Sequence, residues 1–111
     1  MTDIPHKKMI KQLNKTINSL ASSMTKTDDL ELQADIAEQM STLMVQRTKL
    51  THRILKNETN PFKTAMKSLA DLTREAKAAK EDVNKVEKMI GSASKTVDKV
   101  TRFISGLAKV V

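Results

Sequence analysis

The chain contains no cysteine, tryptophan or tyrosine, and only two glycines, two prolines and two phenylalanines in 111 residues. Without cysteine there is no disulfide framework, no thiolate metal site and no thiol nucleophile. So few glycines and prolines leave little turn-forming material, which argues against sheets and for long uninterrupted helices. Phe62 and Phe103 are the whole aromatic content. The implied core is thin, built from Leu, Ile, Val, Ala and Met as in a helical hairpin or bundle. No apolar run approaches the ~18 residues of a membrane span. Residues 1–8 lack the apolar segment of a secretory signal. The expected location is the cytoplasm, or outside the cell by a signal-independent route.

The length suits one domain. The net charge is +7, distributed in bands. Residues 1–27 carry +4, residues 28–45 carry −5 with no base, and residues 46–70 carry +5. Residues 71–90 balance at zero, and residues 91–111 carry +3.

The strongest pattern is a 3-4 ladder of apolar residues from Phe62 to Val111. It continues through Ala65, Leu69, Leu72, Ala76, Ala79, Val83, Val86, Ile90, Ala93, Val97, Val100, Ile104 and Leu107. No polar residue interrupts it, which is the sequence form of a coiled-coil helix. The first half has a seam at Ile10, Leu13, Ile17, Leu20 and Met24. A second stretch follows at Leu32, Ile36, Met40, Leu43, Arg47, Leu50 and Ile54. The step from Met24 to Leu32 shifts the heptad phase, so the first arm either bends near residues 25–29 or runs through with altered winding. Thr27 or Asp28 is the candidate cap there. Residues 57–61 are the expected turn, with Asn57 as a left-handed terminator, Asn60 as a cap and Pro61 in the first helical position.

These signals predict an all-α antiparallel hairpin, with arm one over about 4–57 and arm two over about 61–110. Folding the chain about residue 59 pairs Leu50 with Leu69, Leu43 with Ala76, Ile36 with Val83 and Leu13 with Ile104. Several large residues then face alanine, as Leu43 does Ala76, Met40 does Ala79 and Met24 does Ala93. Each arm is about 75 Å long at 1.5 Å per residue. The arginine in the seam, Arg47, is expected to extend its head to Asp71 or Glu75. Apolar residues also stand off the seam. Leu30, Ala34, Ala37, Met44 and Leu55 trace a stripe on the first arm, and Met89, Phe103 and Val110 trace one on the second. A stripe wider than a single seam calls for further helical neighbours. The hairpin is therefore expected to enter a four-helix bundle or a larger helical assembly.

No chemistry-bearing constellation emerges. His6 and His52 lack the spacing of a helical metal pair, and Gly91 and Gly106 stand alone with no phosphate-loop pattern. Gly91 reads as a soft or close-packing point. The acids at 28, 29, 31, 35 and 38 lack the form of a calcium loop and read as a solvated helical face. The expectation is a non-enzymatic structural or interaction protein with no cofactor, no metal and no small-molecule substrate. Its partners are further copies of itself or another helical protein. The expected contacts are Leu30, Met44, Leu55, Met89, Phe103 and Val110, with the basic residues Arg47, Lys49, Arg53, Lys56, Lys63 and Lys67. Two alternatives stand beside it. The basic amphipathic stretch from Ser94 to Val111 suits a membrane surface, and the basic turn end suits nonspecific contact with nucleic acid. In size the hairpin is similar to the small helical hairpins of bacterial secretion systems, although the Trp-x-Gly turn of one such group is absent.

Overall fold

The computed structural model describes residues 4–109 and is all-α apart from one two-residue strand pair. Four helices follow one another: α1 (Ile4–Met24), α2 (Leu30–Leu50), α3 (Asn60–Glu81) and α4 (Val86–Ser105), with one 3₁₀ turn at Val83–Lys85. Strand β1 (Arg53–Ile54) follows α2, and strand β2 (Ala108–Lys109) follows α4. The helices form a bundle in which α1 and α4 each pack against both α2 and α3.

Side-chain contacts fix the sense of each helix. The hydroxyl oxygens of Thr16 and Thr73 lie 2.9 Å apart, and Lys8 reaches Glu58 at 3.3 Å, so α1 and α3 run side by side in the same sense. Arg47 donates to Asn14 Oδ1 at 2.7 Å, which sets α2 antiparallel to α1. Thr96 lies against the carbonyl of Ser68, which sets α4 antiparallel to α3. Helices α2 and α4 end together. Their trailing strands pair antiparallel, Arg53 with Lys109 and Ile54 with Ala108. The connection from α2 to α3 therefore crosses the end of the bundle diagonally.

The all-α class stands, and so does the break near residues 25–29; the four-helix bundle is present, but the four helices of one chain form it rather than an association of hairpins. The two long arms are corrected. The molecule measures 44 × 20 × 19 Å, far short of a 75 Å arm, because the chain reverses twice more than a hairpin does. At the first reversal, Ser23 and Thr25 turn their hydroxyls onto the carbonyls of Leu20 and Ser22 and close α1. Asp29, not Thr27 or Asp28, then caps α2. Its carboxylate accepts from the amides of Glu31 and Leu32 at 2.9 and 3.2 Å. Thr27 supports the turn, accepting from the Asp29 amide on its hydroxyl and from Gln33 Nε2 on its carbonyl.

The second reversal falls inside the ladder that promised continuity. Asp82 leaves the helical region at φ −140° and ψ 105°, and its carboxylate accepts the Asn84 amide at 3.0 Å. Such a local side-chain bond competes with the helical ladder. The apolar spacing runs through the break in phase, which hides it. Only Val83 betrays it, standing 50% exposed at a ladder position. The hairpin layers are corrected with the arms: α1 pairs with α3, and α2 with α4.

At the α3 start the cap is Thr59, whose hydroxyl accepts the Phe62 amide at 3.3 Å, rather than Asn60. No described residue has positive φ, so Asn57 is not a left-handed terminator. Helix α2 ends earlier, with Thr51 at its C-cap, and Gly106 closes α4.

The core follows the seams closely. Leu13, Ile17, Leu20, Ile36, Leu43, Leu50, Phe62, Leu69, Leu72, Val100 and Ile104 are all buried. Each such side chain removed from water stabilises the fold by about 1.5–3 kcal/mol. Met9, Leu55 and Met89 join them off the seams. Phe62 and Phe103 meet edge to face, with ring centroids 6.2 Å apart. Between α1 and α3 a polar layer is satisfied internally: Thr16 donates to the Gln12 carbonyl and Thr73 to the Leu69 carbonyl.

Candidate interaction surface

Helix α2 has apolar residues on two sides. Its core side holds Ile36, Leu43 and Leu50, joined by the buried Gln46. At 3.6 residues per turn, Leu30, Ala34, Ala37, Ser41, Met44 and Thr48 fall together on the opposite side. All six are exposed. Leu30 is 79% exposed and Met44 37%, while Val45 beside them is 51% exposed. The stripe runs about 27 Å along the helix axis and bears no charge. Its N-terminal surroundings hold Asp28, Asp29, Glu31, Asp35 and Glu38, whereas its C-terminal surroundings hold Arg47 and Lys49.

The other sequence-predicted contacts scatter. Leu55 and Met89 are corrected: both lie in the core, because the crossover tucks Leu55 under the bundle and Met89 falls between Val86 and Ala93 on the buried side of α4. Phe103 is half-buried against Phe62. Val110 lies outside the described residues. Arg47 meets Asn14 and not Asp71 or Glu75, since α2 packs on α1 and α4 rather than α3. Arg53 donates to the Leu107 carbonyl at 3.0 Å and so ties the crossover to the chain beyond α4. Lys49, Lys56, Lys63 and Lys67 are exposed. The sequence stripe missed Ser41 and Thr48, which continue the 3-4 spacing of Leu30, Ala34, Ala37 and Met44 as small uncharged residues. The spacing itself was the available signal.

The apolar side of α4, which the membrane alternative would use, faces inward. Val97, Val100 and Ile104 are buried. No described helix is long and apolar enough to cross a membrane. The larger hollows lie along the seam between α3 and α4. One of about 490 Å³ is lined by Pro61, Ala65, Lys99, Arg102 and Phe103 among others, and one of about 390 Å³ by Glu75, Ala78, Lys85, Lys88 and Met89. No group of three or more His, Cys, Asp or Glu among the described residues is placed to hold a metal ion. No family model, curated protein or solved structure matches the chain.

Proposed function

We propose that this protein is a non-enzymatic interaction protein that self-associates by docking helices, with the outer side of α2 as its contact surface. The uncharged stripe from Leu30 to Thr48 carries the reading, because α2 already has a complete core side without it. An uncharged stripe with apolar anchors, rimmed by charge, is a common form of protein-binding surface, while singly exposed apolar residues mean little. A helix laid along another helix buries such a stripe with anchors at 3-4 spacing. Membrane binding through α4 ranks lower, since Val97, Val100 and Ile104 would first have to leave the core.

Size-exclusion chromatography with light scattering, run across protein concentration at low and high salt, tests the reading. The expected result is a mass that rises toward the dimer or a higher species with concentration. Met44→Glu is expected to return it to the monomer without loss of helicity. A monomer at every concentration overturns self-association.

A further inference from the structure

We infer that the occupant of the α2 stripe is α2 of a second copy, laid antiparallel about a two-fold axis level with residue 39. The inference rests on the proposed self-association and gives it a partner face, a direction and a register. One register sets all six stripe positions of one copy against those of the other. Leu30 then faces the second copy's Thr48, Ala34 faces its Met44, and Ala37 faces its Ser41. Each layer recurs on the other side of the axis, as a two-fold interface requires. The largest side chains, Leu30 and Met44, meet the smaller Thr48 and Ala34. Ala37 and Ser41, nearest the axis, let the two backbones approach closely.

Charge selects the direction. The half of α2 around Asp28, Asp29, Glu31, Asp35 and Glu38 is acidic, and the end around Arg47 and Lys49 is basic. The basic character continues beyond the helix at Arg53 and Lys56. An antiparallel pair sets the acidic half of each copy over the basic end of the other, whereas a parallel pair sets like against like. On one flank Gln33 comes level with the second copy's Arg47. On the other, Glu38 lies beside the axis and meets its own copy. That like-charge approach weakens the pair and supplies a diagnostic of the register. A single helix pair of about 27 Å is a small interface, in the transient class below about 1,200 Å² of total buried area. The dimer is therefore concentration-dependent.

The absence of cysteine from the chain makes the arrangement directly testable in the full-length protein. Leu30→Cys and Thr48→Cys variants, both at exposed positions, are prepared separately, one carrying a size tag. They are oxidised alone and mixed, beside light scattering of the unaltered protein at the same concentrations. The expected result is a disulfide-linked species containing one copy of each variant, with little linkage in either variant alone. In an antiparallel pair, two copies of residue 30 lie far apart. Glu38→Gln is expected to tighten the dimer several-fold, and added salt to loosen it. Self-linkage of Leu30→Cys alone indicates a parallel pair and overturns the inference while leaving self-association intact. A dimer by light scattering with no linkage in any sample places the contact elsewhere and has the same consequence. A monomer at every concentration removes both the inference and the reading beneath it. A Glu38→Gln dimer no tighter than the unaltered one overturns the register.

Discussion

Helices α2 and α4 lie side by side in the same sense and differ by one residue in length, yet they divide their apolar residues differently. On α4, Val86, Met89, Ala93, Val97, Val100 and Ile104 all turn to the core. The outer line of α4 is Lys88, Lys95, Lys99 and Arg102, all exposed. On α2 the core takes Ile36, Leu43 and Leu50, and a second apolar line stays outside. The fold of one copy explains every apolar residue on the buried line of α4 and leaves Leu30, Met44 and Val45 on α2 without a structural task. Solvated lysines are the ordinary outer surface of a bundle helix. The departure on α2, rather than the charge of α4, is what carries the proposed self-association.

The adjacent pair Leu43 and Met44 gives the largest expected contrast. Leu43 is fully buried, while Met44 is on the outer stripe. Leu43→Ala leaves a core cavity and is expected to lower stability by about 2–5 kcal/mol. Met44→Ala is expected to change it by less than about 0.5 kcal/mol at concentrations where the protein is monomeric. Urea denaturation followed by circular dichroism measures both. Equal losses would mean that the outer line helps hold the monomer, and the contrast between α2 and α4 would lose its meaning.

The helix starts differ as well. Asp29 caps α2 through its side chain, whereas Lys85 precedes α4 with no side-chain cap. Asp29→Ala is expected to cost about 1 kcal/mol, and Lys85→Ala close to nothing. The same denaturation curves separate them. A loss at Lys85 comparable to that at Asp29 would show that the 3₁₀ turn itself helps hold the second reversal.

Most of the core was legible in the sequence because 3-4 spacing reports which side of a helix is buried. The ladder from Phe62 to Ile104 predicts the buried line of α3 and α4 position by position, with Val83 and Ile90 as its less buried members. The spacing does not report whether the axis continues. A reversal that preserves phase, as between Ala79 and Val86, leaves the ladder intact while the chain turns back. The signals for it were short-range: Asp82 and Asn84 sit where their side chains compete with the helix. The break after Met24 was easier to see because it also shifts the phase. The α2 stripe was half legible. Leu30, Ala34, Ala37 and Met44 announced it by their apolarity, while Ser41 and Thr48 belong to it through position alone. Leu55 and Met89 were misplaced for different reasons: Leu55 sits in the crossover beyond α2, outside any helical period, whereas Met89 lies between Val86 and Ala93 on the buried side of α4, which packs against two helices and buries a stripe wider than one seam.

Gly91 gives the smallest effect and sharpens the comparison from the α4 side. It lies in the interior of α4, exposed, with nothing within 4 Å of the position a Cβ would occupy. The structure therefore assigns it no close contact with a neighbouring helix, contrary to a close-packing role. A helical glycine without a steric reason destabilises its helix by about 0.5–1 kcal/mol relative to alanine, through the extra freedom it gives the unfolded chain. Gly91→Ala is expected to raise stability by that amount while leaving the association state unchanged, since α4 presents a solvated surface. Denaturation with light scattering on the same sample measures both quantities. A gain in stability with altered self-association would show that the outer surface of α4 also takes part in docking, and the division of labour between the two helices would have to be redrawn.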